Sequence, residues 1–225
     1  MDCTHAYRDA RARITELLRA AATEPAAAGR LVPACPEWTV KDAAAHMAGV
    51  AADILAGNLE GVGTDPWTNA QVEQRAEATL DAVLAEWDEA GPAIEELFAG
   101  GSAPAQLVFD LATHEHDVRG ALGAPGAKDA DSTHIAEGWV LDSWSATARG
   151  LDVPPLRLVV GSRTVEVGDD PPTTVFIPPF EALRALTGRR SVAQLVRYDW
   201  DGDPTPWLPT FTWGPFTVRA TDLVE

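Results

Sequence analysis

Apolar residues recur at helical spacing through the first two thirds of the chain. Between residues 4 and 22, Ala10, Ile14, Leu17, Leu18 and Ala21 fall on one stripe, which predicts an amphipathic helix. "LVPACPEW" then breaks the pattern with two prolines. Thr39 followed by Asp42 predicts a capped start for a helix through "VKDAAAHMAGVAADILAG", with Gly57 at its C-terminal end. The Ala-, Glu- and Leu-rich stretch 69–100 keeps a 3.6-residue period and predicts a third helix, kinked or interrupted at Gly91 and Pro92. "SAPAQLVFDLATHEHDVRGALG" predicts a fourth, from near Ser102 to Gly123, and residues 131–150 a fifth.

From about Leu151 prolines become frequent, and Val and Thr replace Ala. "PLRLVVGSRTVEVG" predicts two short strands around a Gly-Ser turn, "PPFEALRALTGRRS" a helix ending at Gly188, and "PFTVRATDLV" a last strand. The chain is therefore expected to be mainly α: a helical domain over 1–150, then a small α+β module over 151–225.

With 34 Asp and Glu against 17 Lys and Arg, the formal net charge is −17. Such a surface repels phosphate backbones and anionic headgroups, which argues against nucleic acid and membrane as partners. The N-terminus is charged and amphipathic, and no apolar run approaches the roughly 18 residues of a membrane span, so a cytoplasmic protein is expected. Cys3 and Cys35 form no CxxC pair and are expected to be reduced. The sequence is equally compatible with a monomer or a homodimer.

The fourth helix holds the densest cluster of titratable groups. Asp110, His114 and Asp117 stand at i, i+4 and i+7, on one stripe, while His116 points away from it. A carboxylate and a histidine four apart on a helix can reach one metal. His46, in the Ala-rich second helix, is the nearest third candidate. Two nitrogens and one carboxylate with an open fourth position suit catalytic Zn²⁺. The plainer readings are that Asp110 is a solvated carboxylate, that Asp117 supports His114 or caps a loop, that His116 and His134 are surface or partner-bonded residues, and that His46 and His114 hydrogen-bond across the bundle without a metal.

"LVPACPEWTVKDAAAHMAGV" resembles the signature of the maleylpyruvate isomerase N-terminal domain family, which is mycothiol-dependent and related to DinB-like metal-binding bundles. "DLATHEHD" resembles that family's second motif, an acidic residue, then His, then Asp; the family more often carries Glu at the first place, so Asp110 is the shorter ligand. "FEALRALTGRRSVAQLVRYDWDGDP" is similar to the C-terminal region of many actinobacterial members. The resemblance implies a DinB-like up-down four-helix bundle with His46, Asp110 and His114 as metal ligands and Asp117 behind them. It implies a sterol-carrier-like C-terminal module, shortened here, in which Arg189 is the nearest residue to one that holds a substrate carboxylate. It further implies a thiol-dependent isomerase or S-transferase that uses zinc and mycothiol on a small, anionic electrophile. The competing expectation is a non-catalytic, metal-stabilised module that binds a small ligand or a protein.

Overall fold

A computed structural model describes residues 2–225, and the chain forms two compact units, residues 2–132 with Glu225 and residues 133–224. The first unit contains α1 (Cys3–Ala22), α2 (Pro25–Ala28), the two-stranded hairpin β1 (Leu31–Val32) and β2 (Cys35–Thr39), α3 (Val40–Ala56), α4 (Asp65–Gln74), α5 (Leu80–Ala99) and α6 (Gln106–Leu122). The next helix, α7 (Asp131–Ala148), expected before a boundary at residue 150, lies almost wholly in the second unit.

Four long helices make the first unit. Both α1 and α3 pack against α5 and α6. The stripe expected in α1 is its buried face: Ala10, Ile14 and Leu18 are sealed from solvent, each of the larger two contributing about 1.5–3 kcal/mol of burial. The Asp2 carboxylate caps the helix by accepting from the Thr4 amide at 2.8 Å. In α3 the alanines 43–45 and Ala48 are fully buried, so neighbouring helices approach closely.

The interruption expected at Gly91 and Pro92 lies elsewhere. α5 runs through both, and the break falls at residues 75–79, between α4 and α5. There the Lys41 ammonium donates to the carbonyl oxygens of Arg75, Ala76 and Ala78, and Thr79 caps α5 by accepting from the Ala82 amide. Gly91 instead makes room for Arg11, whose guanidinium carbon would lie 2.3 Å from an added Cβ. α6 begins at Gln106 rather than Ser102, since the residue before Pro104 is pushed out of helical geometry. It ends at Gly123, in the left-handed region at φ 62°.

The second unit has a four-stranded sheet in the order β4 (Arg163–Val167), β3 (Leu156–Val160), β5 (Thr173–Ile177), β6 (Asp199–Asp201). β3 and β4 are the hairpin expected around Gly161 and Ser162, whereas β5 runs parallel to β3. α8 (Pro179–Leu186), α9 (Val192–Leu195) and a 3-10 turn (Leu208–Phe211) complete it. The Trp144 indole of α7 donates to the Thr210 carbonyl oxygen at 3.0 Å and packs on Phe211. The strand expected over "PFTVRATDLV" does not form; the segment makes isolated bridges, Ser191 with Arg219 and Trp213 with Phe216. The architecture is mainly α followed by an α+β region, as expected.

Candidate metal centre

The hairpin feeds directly into α3. β2 ends at Thr39, whose hydroxyl and amide both bond Asp42, the reciprocal cap anticipated from sequence. This fixes the start of α3 and therefore the direction of His46, nearly two turns on. α6 brings Asp110, His114 and Asp117 to the same place from the facing helix.

His46 Nε2 lies 3.4 Å from Asp110 Oδ1, and His114 Nε2 lies 3.8 Å from the same oxygen. One atom from each of the three residues falls within 4.8 Å of the others. A tetrahedral zinc with bonds of about 2.0–2.1 Å holds its ligands roughly 3.3 Å apart. The His46–Asp110 contact is a long hydrogen bond and also close to the spacing of two ligands on one ion, whereas the wider separations would have to close for all three residues to share it.

Protonation supports the same fit. Gln71 Nε2 donates to Asp53 Oδ2 at 2.8 Å, which leaves Gln71 Oε1 to accept from His46 Nδ1, also at 2.8 Å. With its proton on Nδ1, neutral His46 turns the Nε2 lone pair toward Asp110, so two acceptors face each other. A proton or a cation must lie between them. Burial alone would push the His46 pKa down, but the Asp110 charge, the bonds to Asp110 and Gln71, and the more distant Asp117 together lift it above its ordinary value. The Gln71 contact depends on Gly49, where a Cβ would sit 2.6 Å from Gln71 Cβ.

Two further residues join the cluster without having been expected there. The Trp38 ring lies 5.1 Å from the His46 ring and 5.5 Å from the His114 ring, and the two imidazoles meet edge to face at 4.8 Å. The three rings hold one another in place. The Cys35 thiol donates to Asp117 Oδ2 at 3.5 Å, and Cys35, His114 and Asp117 form a second trio of potential ligands. Asp117 is buried and lies 3.0 Å from His114 Nδ1, at ion-pair distance but without hydrogen-bond alignment. Both signals stood inside "ACPEWT", but a Trp and a Cys on a short hairpin carry no period that marks them.

Two further titratable groups of α6, Glu115 and His116, do not face solvent. Glu115 is fully buried, paired with Arg13 of α1 at 2.9 and 3.0 Å and with Arg119 at 2.9 and 3.0 Å. His116 is also buried. Arg189 lies in the second unit, half-buried, with Nη1 donating to the Thr187 carbonyl oxygen at 2.6 Å. The adjacent Arg190 is buried and held by Glu181 through two bonds of 2.7 and 2.9 Å.

A pocket of about 240 Å³ opens on Asp110. Val50 and Ile54 of α3, Trp67 of α4, Leu97 of α5 and Leu107 of α6 form its walls, and no described residue lining it is a Lys or Arg. A carboxylate at the edge of a candidate metal centre thus also faces an accessible cavity.

Among known families, residues 7–108 match the one described as mycothiol maleylpyruvate isomerase N-terminal domain. The match takes in Cys35, Trp38 and His46 and ends two residues before Asp110. No curated protein and no solved structure matched. No described helix is long and apolar enough to cross a membrane.

Proposed function

Because residues 7–108 match the mycothiol maleylpyruvate isomerase N-terminal domain family, we propose that the first unit is a divalent-metal site for thiol chemistry on a small electrophile, an isomerase or an S-transferase. The observation that carries this is the convergence of His46 Nε2, Asp110 Oδ1 and His114 Nε2, with both histidines buried and Asp110 reaching a pocket. Zinc is the metal that suits two imidazoles and a carboxylate. A divalent ion held there supplies positive charge that favours a thiolate over a thiol near neutral pH.

The residues have separable tasks. Gln71 keeps the proton of His46 on Nδ1, so that Nε2 stays available. Trp38 shields both imidazoles and limits their rotation. Asp117 offsets charge at His114 Nδ1. In the isomerisation, the thiol of a low-molecular-weight cosubstrate such as mycothiol gives its proton to solvent, and its sulfur forms a C–S bond at one alkene carbon. The π pair moves onto the neighbouring carbonyl system as an enolate. After rotation about the new single bond the pair returns, the double bond re-forms, and the thiolate leaves unchanged. In the transferase variant the enolate carbon takes a proton and the C–S bond persists. The proposal takes no substrate contact from Arg189, which lies in the second unit.

A second reading is favoured by the Cys35–His114–Asp117 trio: a protein ligand filling the fourth position would make the metal structural and the module a binding one. Elemental analysis of wild type, His46→Ala, His114→Ala and Cys35→Ser separates the two. Near-stoichiometric zinc that is lost in both histidine variants and kept in Cys35→Ser, with mycothiol-dependent turnover of a cis-alkene, supports the catalytic reading. Loss of zinc in Cys35→Ser supports the closed site, and absence of zinc from the zinc-treated wild type overturns both.

A further inference from the structure

We infer that the pocket opening on Asp110 receives the uncharged hydrocarbon part of the substrate, so that the electrophile handled here is lipophilic rather than dicarboxylic; this rests on the metal-site reading above. Three observations carry it. The walls are aliphatic and aromatic, with Val50, Ile54, Leu97 and Leu107 around Trp67. The indole nitrogen of Trp67 is occupied by the Asn58 carbonyl oxygen at 3.0 Å, which leaves the ring to act as apolar surface. At the mouth stand Leu59 and Val62, both 52% exposed on the segment between α3 and α4, an arrangement that costs solvation unless something apolar covers it.

Charge complementarity points the same way. Asp110 is the only ionisable side chain among the pocket's described lining residues, and the chain as a whole carries a formal charge of −17. A carboxylate pushed into the pocket would lose its hydration without meeting a Lys or Arg, whereas a hydrocarbon chain gains from every methylene it buries. Ser102 and Gln106, also in the lining, offer neutral hydrogen bonds of the kind that suit an ester, ketone or hydroxyl. The volume fits a small molecule: a cavity of about 150 Å³ lined by aliphatic residues is enough for benzene, and about 240 Å³ admits a substituted ring or a chain of several carbons.

The test uses the full chain loaded with zinc and a series of hydroxamates, whose head group binds the metal while the tail enters the pocket. Calorimetric titration with acetohydroxamate, butanohydroxamate and hexanohydroxamate should show affinity rising about fourfold per methylene. Adipic monohydroxamate, which ends in a carboxylate, should bind at least tenfold more weakly than hexanohydroxamate. Leu59→Asp and Val62→Asp, placed at exposed positions outside the core, should flatten the chain-length dependence. A flat series in the wild type, or an adipic derivative that binds as well as the alkyl one, overturns the inference with the metal site intact. Failure of acetohydroxamate to bind overturns the metal reading instead. In that event the comparison of 1-hexanol with hexanoate on the same protein decides the pocket: preference for the alcohol, lost in Val62→Asp, supports it, and no preference overturns it.

Discussion

Two clusters of charged side chains meet on the same helix, where His114 and Glu115 are neighbours, and they are built on opposite principles. Glu115 meets Arg13 and Arg119 at 2.9–3.0 Å, so its carboxylate is bonded through both oxygens by guanidinium groups from this chain. Asp110 meets His46 and His114 at 3.4 and 3.8 Å, distances at which neither imidazole is a strong donor to it. The first cluster is a closed ion triad; the second is a set of longer contacts that brings three potential metal ligands together. Crowding of titratable residues in one helix therefore has two causes, a structural ion triad and a candidate site, and only contact geometry tells them apart.

The sharpest way to break the comparison is to remove the centre of the closed triad. Glu115→Ala leaves Arg119 and the partly exposed Arg13 without their shared carboxylate and should cost about 3 kcal/mol, readable as a lowered urea midpoint. Zinc content should not change. A variant that kept its stability but lost zinc would show that the two clusters are one.

The converse experiment offers zinc to the other cluster. Free zinc at about 100 times its dissociation constant should stabilise the wild type by roughly 2.7 kcal/mol, a rise in melting temperature of about 5–10 °C. His46→Ala and His114→Ala should show no such rise. Equal stabilisation of all three proteins would place the metal elsewhere.

How much of this was legible without coordinates follows from which interactions are local. The Thr39–Asp42 cap, the left-handed glycines Gly57 and Gly123, and the i, i+4 relation of Asp110 and His114 all depend on residues within one helical turn, and each is where the sequence predicts it. The contribution of Gln71 is non-local: it depends on Gly49 of another helix making room and on Asp53 orienting the amide. Trp38 and Cys35 sit on a five-residue strand too short to show a period. The break at residues 75–79 was obscured because Lys41, more than thirty positions away, satisfies the carbonyls that end α4, while Gly91 and Pro92 advertised a break that packing overrides.

Gln71 offers a finer probe of the candidate metal cluster. Gln71→Ala removes the acceptor that keeps the His46 proton on Nδ1 and should weaken zinc binding by about 10- to 100-fold without abolishing it. Competition against a chromophoric chelator measures this directly. An affinity unchanged from wild type would mean that the tautomer of His46 is set by something other than Gln71.

A third carboxylate, at the α1–α5 contact, sets the lower end of the scale. Glu95 accepts from Arg8 at 2.7 Å and from Arg11 at 3.0 Å, but it lies nearer solvent than Glu115. Burial pushes its pKa up, yet the two arginine bonds outweigh burial and hold it below its ordinary 4.5. A depressed carboxylate contributes stability that is fully present above the unfolded value and is lost as pH falls through the folded one. Stability should accordingly decline as pH drops below about 4.5, and Glu95→Gln should make that acid limb shallower while costing less than about 1 kcal/mol at neutral pH. Urea midpoints between pH 3 and 7 for both proteins give the comparison. An acid limb as steep in Glu95→Gln as in wild type would show that the Arg8 and Arg11 bonds to Glu95 do not set the acid sensitivity.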